Sequence, residues 1–121
     1  MRNSPGGDRG HAAMLCFPSS ASAVAGLAEL RQRYALGSAA LEIDALPQRA
    51  GMHHGDVVVG RDGDLYGADV NLAARLQGAA GDGELLASDS AIAGLGDWQG
   101  ERRPLQLKNV PLPVLAGVVD W

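Results

Sequence analysis

The sequence predicts a mixed fold of strands and helices, α/β or α+β, and three observations carry that expectation. Short apolar runs of strand length alternate along the chain with stretches of helical periodicity. Glycine and proline, 17 and 6 of the 121 residues, punctuate the junctions between them. Hydrophobic residues make up 46% of the chain, enough to bury a core, and the length fits one small domain. No internal repeat, low-complexity tract or long linker divides it.

Residues 1–10, rich in glycine, proline and aspartate, read as a poorly ordered arm or a turn. "HAAMLCF" (11–17) is a short buried strand, and "PSS" then supplies a helix cap at Ser19 or Ser20. From Ala21 to Leu36, Val24, Leu27, Ala28 and Leu30 keep helical spacing, and Gly37 is a natural stop. "LEIDALPQRAGMHHGDVVVG" (41–60) reads as extended segments, and "RDGD" (61–64) as a hairpin turn. Asp69 has the chemistry of an N-cap for a helix from Val70 to about Ala79. "AGDGELLAS" (80–88) gives a turn and strand, "SDSAIAGL" (88–95) a short helix, and 103–121 two strands separated by Pro111 and Pro113. The pair Arg102–Arg103 reads as a solvated turn.

Composition narrows the function. A net charge of −4 offers no field to attract nucleic acid or an anionic membrane, so an anionic ligand must be held by a few placed groups. No run approaches the roughly 18 apolar residues that span a bilayer. The apolar patch "AAMLCF" is shorter than the roughly 7–15 residues of a secretory signal and reads as a strand. The single cysteine, Cys16, reads as a buried thiol, and a reducing cytoplasm is the simplest home.

The stretch "GDLYGADVNLAARLQ" (63–77) raises the functional question. Asn71 and Arg75 are four residues apart and share a helix face, a few residues after the carboxylate of Asp64. Together with "GMHHGDVVVG", "GDGELLAS" and "LQLKNVPLPV", this stretch closely resembles the class III nucleotidyl cyclases. That family carries a G-[IM]-H-x-G-x-V-V-x-G strand, a V-N-x-A-x-R helix, a G-E-[IL]-L-x-S strand and a terminal L-K-G-V-x-x-P-V. The resemblance covers about Arg49 to Val119, in order, with a weaker match of "GHAAMLCF" to a G-D-x-x-M-A-x-F strand.

The resemblance implies an α+β, ferredoxin-like antiparallel sheet with helices, a partial cyclase catalytic domain over 11–121. It implies conversion of ATP to cyclic AMP and pyrophosphate at the interface of two catalytic domains, in a homo- or heterodimer. Asn71 would orient the ribose, and Arg75 would stabilise charge developing on the α-phosphate. Lys108 would hold the terminal phosphates, and Asp64 would read the adenine amino group. Phosphoryl transfer is mostly positioning and charge stabilisation, and a guanidinium presents a planar fork to phosphate oxygens.

The same resemblance exposes a gap. The family holds two Mg²⁺ or Mn²⁺ ions on two aspartates, one in an F-x-D-I-x-G-F-T strand that this sequence lacks along with its helices. The other falls on His11, Asp8 fitting only with an insertion, and a base-reading lysine falls on Gly7. Asn109 replaces the usual glycine of the last motif. The ions would therefore come mainly from a partner domain. Three readings follow: a cyclase subunit needing that partner, a non-catalytic cyclase-like nucleotide-binding or regulatory module, and an inactive fragment of a full cyclase.

Other features carry less. His53 and His54 are adjacent, so on a strand they face opposite sides and cannot share a metal. Ser88 and Ser90 lack the flanking glycines of a nucleophile elbow. "GGDRGH" has no lysine after its glycines and is no phosphate loop, and Asp56 has no assigned role.

Overall fold

The computed structural model describes residues 3–5, 11–55, 58–59, 61–62 and 65–121. Its elements run β1 (Asn3–Pro5), β2 (His11–Ala13), α1 (Ser20–Ala40), β3 (Ala50–Met52), β4 (Val58–Val59), β5 (Leu65–Tyr66), α2 (Ala68–Ala79), β6 (Leu85–Ser88), α3 (Asp89–Ala93), β7 (Arg102–Leu105) and β8 (Val114–Val119). The main sheet has four strands in the order β3-β6-β8-β7, and β1–β2 and β4–β5 form two small antiparallel pairs. The α+β class is as expected, though the sheet is mixed. β6, β8 and β7 pair antiparallel, whereas β3 lies parallel to β6. Parallel neighbours need a crossover, and the chain makes it through the β4–β5 hairpin and α2.

Alternation along the strands sends side chains to two cores. Ala50, Met52, Leu85, Ala87 and Val119 meet Ala91 and Ile92 of α3, with Val24 and Leu27 of α1 packed against them. On the opposite face Leu86 and Ala116 meet Leu76 of α2 and Ala80, its C-cap, with Leu107 completing the cluster. β6 is buried along its whole length because both of its faces are covered.

The local signals held at some ends and failed at others. Ser19 caps α1 through a capping box, its hydroxyl accepting from Ser22 N at 3.1 Å while Ser19 N donates to Ser22 Oγ at 3.1 Å. The helix runs past the expected stop at Gly37 to Ala40. Nothing crowds Gly37, and the chain turns instead at Glu42, with φ 56, where Ile43 N reaches back to Ser38 O at 3.0 Å. The expected strand over 11–17 is confined to His11–Ala13, and Cys16 is exposed, not buried. Beyond that strand the chain already turns toward Pro18 and the cap of α1, so Cys16 has no sheet to bury it.

Arg102 and Arg103 are strand residues, correcting the turn expected there. Arg102 pairs with Asp89 and stacks on Trp98, 5.4 Å from the ring centre. Arg103 makes a two-pronged contact with Glu84, Nη1 to Oε1 at 3.2 Å and Nη2 to Oε2 at 3.1 Å. That guanidinium, followed by the Gly81 amide at 2.7 Å, holds the Glu84 carboxyl below its ordinary value of 4.5. A depressed carboxyl stabilises the fold above its unfolded pKa, and the contribution fades as pH falls through the lower folded value. Glu84→Gln is therefore expected to lower the melting temperature at pH 7, with the gap from the unsubstituted chain closing as pH is taken below 4.5. Melting curves across pH check this, and a gap that stays constant in acid contradicts it. No helix among the described residues is long and apolar enough to cross a membrane.

Candidate functional site

The site begins with how α2 is seated. Gly51 of β3 lies directly beneath it, and a Cβ there would overlap the backbone of α2 at Gln77 N and Ala73 O. This close approach drives Leu76 into the core at 0% exposure, with Leu72 one turn earlier packed against the same cluster. Asn71 and Arg75 each precede one of these leucines and so occupy the adjoining stripe, Asn71 exposed and Arg75 half-buried.

Lys108 is exposed, in a turn after β7. Val110 N closes that turn on Leu107 O at 3.1 Å, and the Gln106 amide donates to Val110 O at 2.8 Å. Leu107, at 5% exposure, belongs to the same cluster as Leu76. One core thus carries both the helix of Asn71 and Arg75 and the turn of Lys108. Asp64 lies outside the described residues, as do Asp8 and Asp56.

Asn109 adopts φ 62, the left-handed region, which explains why glycine is at home in this position and asparagine is tolerated. Asn109→Gly is expected to be near neutral, while Asn109→Val should cost about 1–2 kcal/mol and loosen the Lys108 turn. Denaturant midpoints of the two variants check this, and equal midpoints contradict it.

Electrostatically, the half-buried guanidinium of Arg75, like the exposed one of Arg61, has no ion pair among the described residues. Arg31, Arg33, Arg49, Arg102 and Arg103 are engaged with Trp121 O, Glu29, Asp82, Asp89 and Glu84 respectively. Among the described residues the side chains of Asn71, Arg75 and Lys108 make no hydrogen bond or ion pair. The guanidinium of Arg75, the ammonium of Lys108 and the amide of Asn71 are thus not engaged by the described residues. The open cleft beside Trp98, lined by Val24, Asp97 and Asp120, includes none of the three.

Sequence reasoning missed a second group. Asp69 is not the N-cap of α2: the helix starts two residues earlier than expected, at Ala68, and Gly67, with φ 128, holds the cap position. The Asp69 carboxylate instead contacts His53 Nε2 at 2.7 Å. His53 Nδ1 contacts Ser88 Oγ at 2.6 Å and Ser90 Oγ at 3.1 Å, and Ser90 donates to His54 O at 2.9 Å. The two histidines do divide as expected, His53 being largely buried and His54 exposed. What joins the set is strand register, since Met52 pairs with Ala87 and the next residues are His53 and Ser88. Local pattern carries no signal for it.

Comparison with known proteins places this architecture. No family model matches the chain. Uncharacterized proteins of Mycobacterium tuberculosis and Mycobacterium bovis are 43% identical over 72 residues, 59% of this chain. The chain spans only 19% of the length of these curated relatives. Among solved structures, an adenylate/guanylate cyclase/hydrolase from Silicibacter pomeroyi superposes with a TM-score of 0.61 at 25% identity, over 86% of this chain and 64% of that one. The adenylyl cyclase CyaB from P. aeruginosa gives a TM-score of 0.58 at 26% identity, over 84% of this chain and 57% of that one. The structural neighbours are cyclase-like, and the fold is that of a cyclase-related domain.

Proposed function

We propose that this chain is a class III adenylate cyclase-type domain that contributes the transition-state and phosphate-binding half of an interface site, converting ATP to cyclic AMP and pyrophosphate with a second cyclase domain. The single observation that carries the reading is the uncommitted, half-buried guanidinium of Arg75, one turn after Asn71, on a helix that shares its core with the Lys108 turn. In the reaction the ribose 3′-oxygen attacks the α-phosphorus, the bond to pyrophosphate breaks, and negative charge builds on the α-phosphate oxygens. Arg75 meets that charge with two parallel donors. Asn71 holds the ribose so that the attacking oxygen stays in line. Lys108 neutralises the terminal phosphates, and Asp64 accepts from the adenine amino group.

The family's two divalent ions supply Lewis acidity at the phosphates. Among the described residues no three His, Cys, Asp or Glu side chains are gathered to hold an ion. No step is assigned to an ion held by this chain; in this reading the ions would come mainly from the partner domain.

The test is complementation. A complete adenylate cyclase domain, disabled by loss of its own arginine of this kind, is mixed with this chain, ATP and Mn²⁺. Cyclic AMP from the mixture and from neither protein alone supports the reading. ATP retained on the mixed complex without turnover points to a non-catalytic nucleotide-binding module. Within an active mixture Lys108→Ala is expected to raise the KM for ATP about 10-fold with little change in kcat, as loss of a charged contact made equally in ground and transition states. A fall in kcat at constant KM contradicts that role.

A further inference from the structure

We infer that His53 and Asp69 are positioning residues that set the rotation of α2, and with it the aim of Asn71 and Arg75; the inference rests on the cyclase reading above.

The N-cap position of α2 is Gly67, which has no side chain to cap the first turn. Asp69 lies in that turn, three residues before Leu72 and seven before Leu76, on the inward side of the helix. Its carboxylate reaches His53, whose side chain is only 12% exposed at the end of β3. His53 in turn reaches the hydroxyl of Ser88, 4% exposed, which accepts from Ala91 N and caps α3. Two sheet strands and two helices thus meet at one imidazole.

One proton assignment serves the three shortest contacts and leaves the two 3.1 Å contacts of Ser90 Oγ, with His53 Nδ1 and Ser88 Oγ, without a proton between them. The Nε2 proton of His53 goes to Asp69, the Ser88 hydroxyl donates to Nδ1, and the Ser90 hydroxyl donates to His54 O. Each hydroxyl then uses its one proton once. The ring is oriented at both nitrogens, and the carboxylate is oriented by the ring.

Gly55 adds an independent observation. A Cβ built there would overlap Cγ, Oδ1 and Oδ2 of Asp69, so the carboxylate rests directly on the backbone of the loop that follows β3. Only glycine leaves it that space. Asp69 is held from the ring side and from the loop side, and Asn71 and Arg75 follow on the adjoining stripe of the same helix. A small rotation of α2 would swing both side chains away from the reacting phosphate, and an error of about 1 Å can cost about 100-fold in rate.

The experiment compares Asp69→Ala, Asp69→Asn and Gly55→Ala in the full chain, Gly55→Ala because it removes no polar group. Amide exchange is read over residues 68–75 against β6 and β8, and kcat and KM are read in the complementation mixture. Asp69→Ala and Gly55→Ala are expected to speed exchange in the first turns of α2 about 10-fold while β6 and β8 keep their protection. In the same variants kcat should fall about 10- to 100-fold with KM changed less than about threefold. Asp69→Asn, whose amide oxygen still accepts from Nε2, should restore most of the rate. In an Arg75→Ala background Asp69→Ala should cost less than it does alone, because one of the two groups it positions is already gone.

Unchanged exchange in α2 overturns the inference. So does loosened exchange with unchanged kcat, or a loss that adds in full to that of Arg75→Ala. A mixture silent even with the unsubstituted chain removes the cyclase reading instead, and the exchange rates still decide whether His53 and Asp69 hold α2.

Discussion

Replacing Arg75 with alanine is expected to lower cyclic AMP formation in the complementation mixture about 100- to 1,000-fold, equivalent to about 3–4 kcal/mol of transition-state stabilisation. The fold should barely notice. Arg75 makes no ion pair or side-chain hydrogen bond among the described residues, so its removal orphans no group, and the core beside it is built by Leu72 and Leu76. A stability change within about 0.5 kcal/mol is the expectation. Lysine should restore only part of the rate, because an ammonium lacks the planar fork that meets two phosphate oxygens at once. The check is kcat for Arg75→Ala and Arg75→Lys beside their melting curves. A rate loss that tracks a loss of folded protein would refute the assigned role.

The second large effect concerns the fold itself. Gly51→Ala is expected to cost about 3 kcal/mol, at the upper end of what overpacking costs. The added methyl would meet the α2 backbone at Ala73 and Gln77 and the Leu76 Cβ, and backbone cannot step aside as a side-chain tip can. The helix must lift off β3, taking Leu76 out of its 0% exposed position. Gly37→Ala provides the contrast. Nothing lies within 4 Å of a Cβ at Gly37, in the interior of α1, so alanine there should stabilise by about 0.5–1 kcal/mol through helix propensity alone. Denaturant unfolding of both variants gives the answer, and a Gly51→Ala protein as stable as the parent would contradict the close helix–strand contact.

These two glycines show what the sequence discloses and what it hides. The α2 helix and the pairing of Asn71 with Arg75 could be read directly, because helical spacing is a local property. The two strands of the C-terminal segment and the short α3 were readable for the same reason. Asp69 misled because an aspartate before an apolar helix has the chemistry of a cap, while a histidine 16 residues earlier, delivered by parallel strand register, competes for its carboxylate. Arg102 and Arg103 misled because adjacent charges look solvated until Asp89 and Glu84 are known to lie beside them. Cys16 misled because an apolar run cannot announce that no sheet will form around it. In the sequence Asn109 is only a departure from a glycine, and its φ of 62 turns that departure into a reason.

The elements that carry the proposed half-site are also more connected than their separate motifs implied. Leu76 and Leu107 belong to one buried cluster, so the elements of Arg75 and Lys108 are fastened to each other through the core as well as by any ligand they share. A ligand bridging the two gains from that, because little freedom remains to be lost when both cations engage it.

The measurement that tests the account most directly is a titration of this chain into a fixed amount of the arginine-disabled cyclase domain, with ATP and Mn²⁺, following cyclic AMP. The account predicts activity that rises from nothing, saturates as the disabled domain is consumed into mixed dimers, and disappears when the added chain carries Asn71→Ala and Arg75→Ala. A folded chain that binds the partner and yields no cyclic AMP, or one whose activity survives those two substitutions, would contradict it.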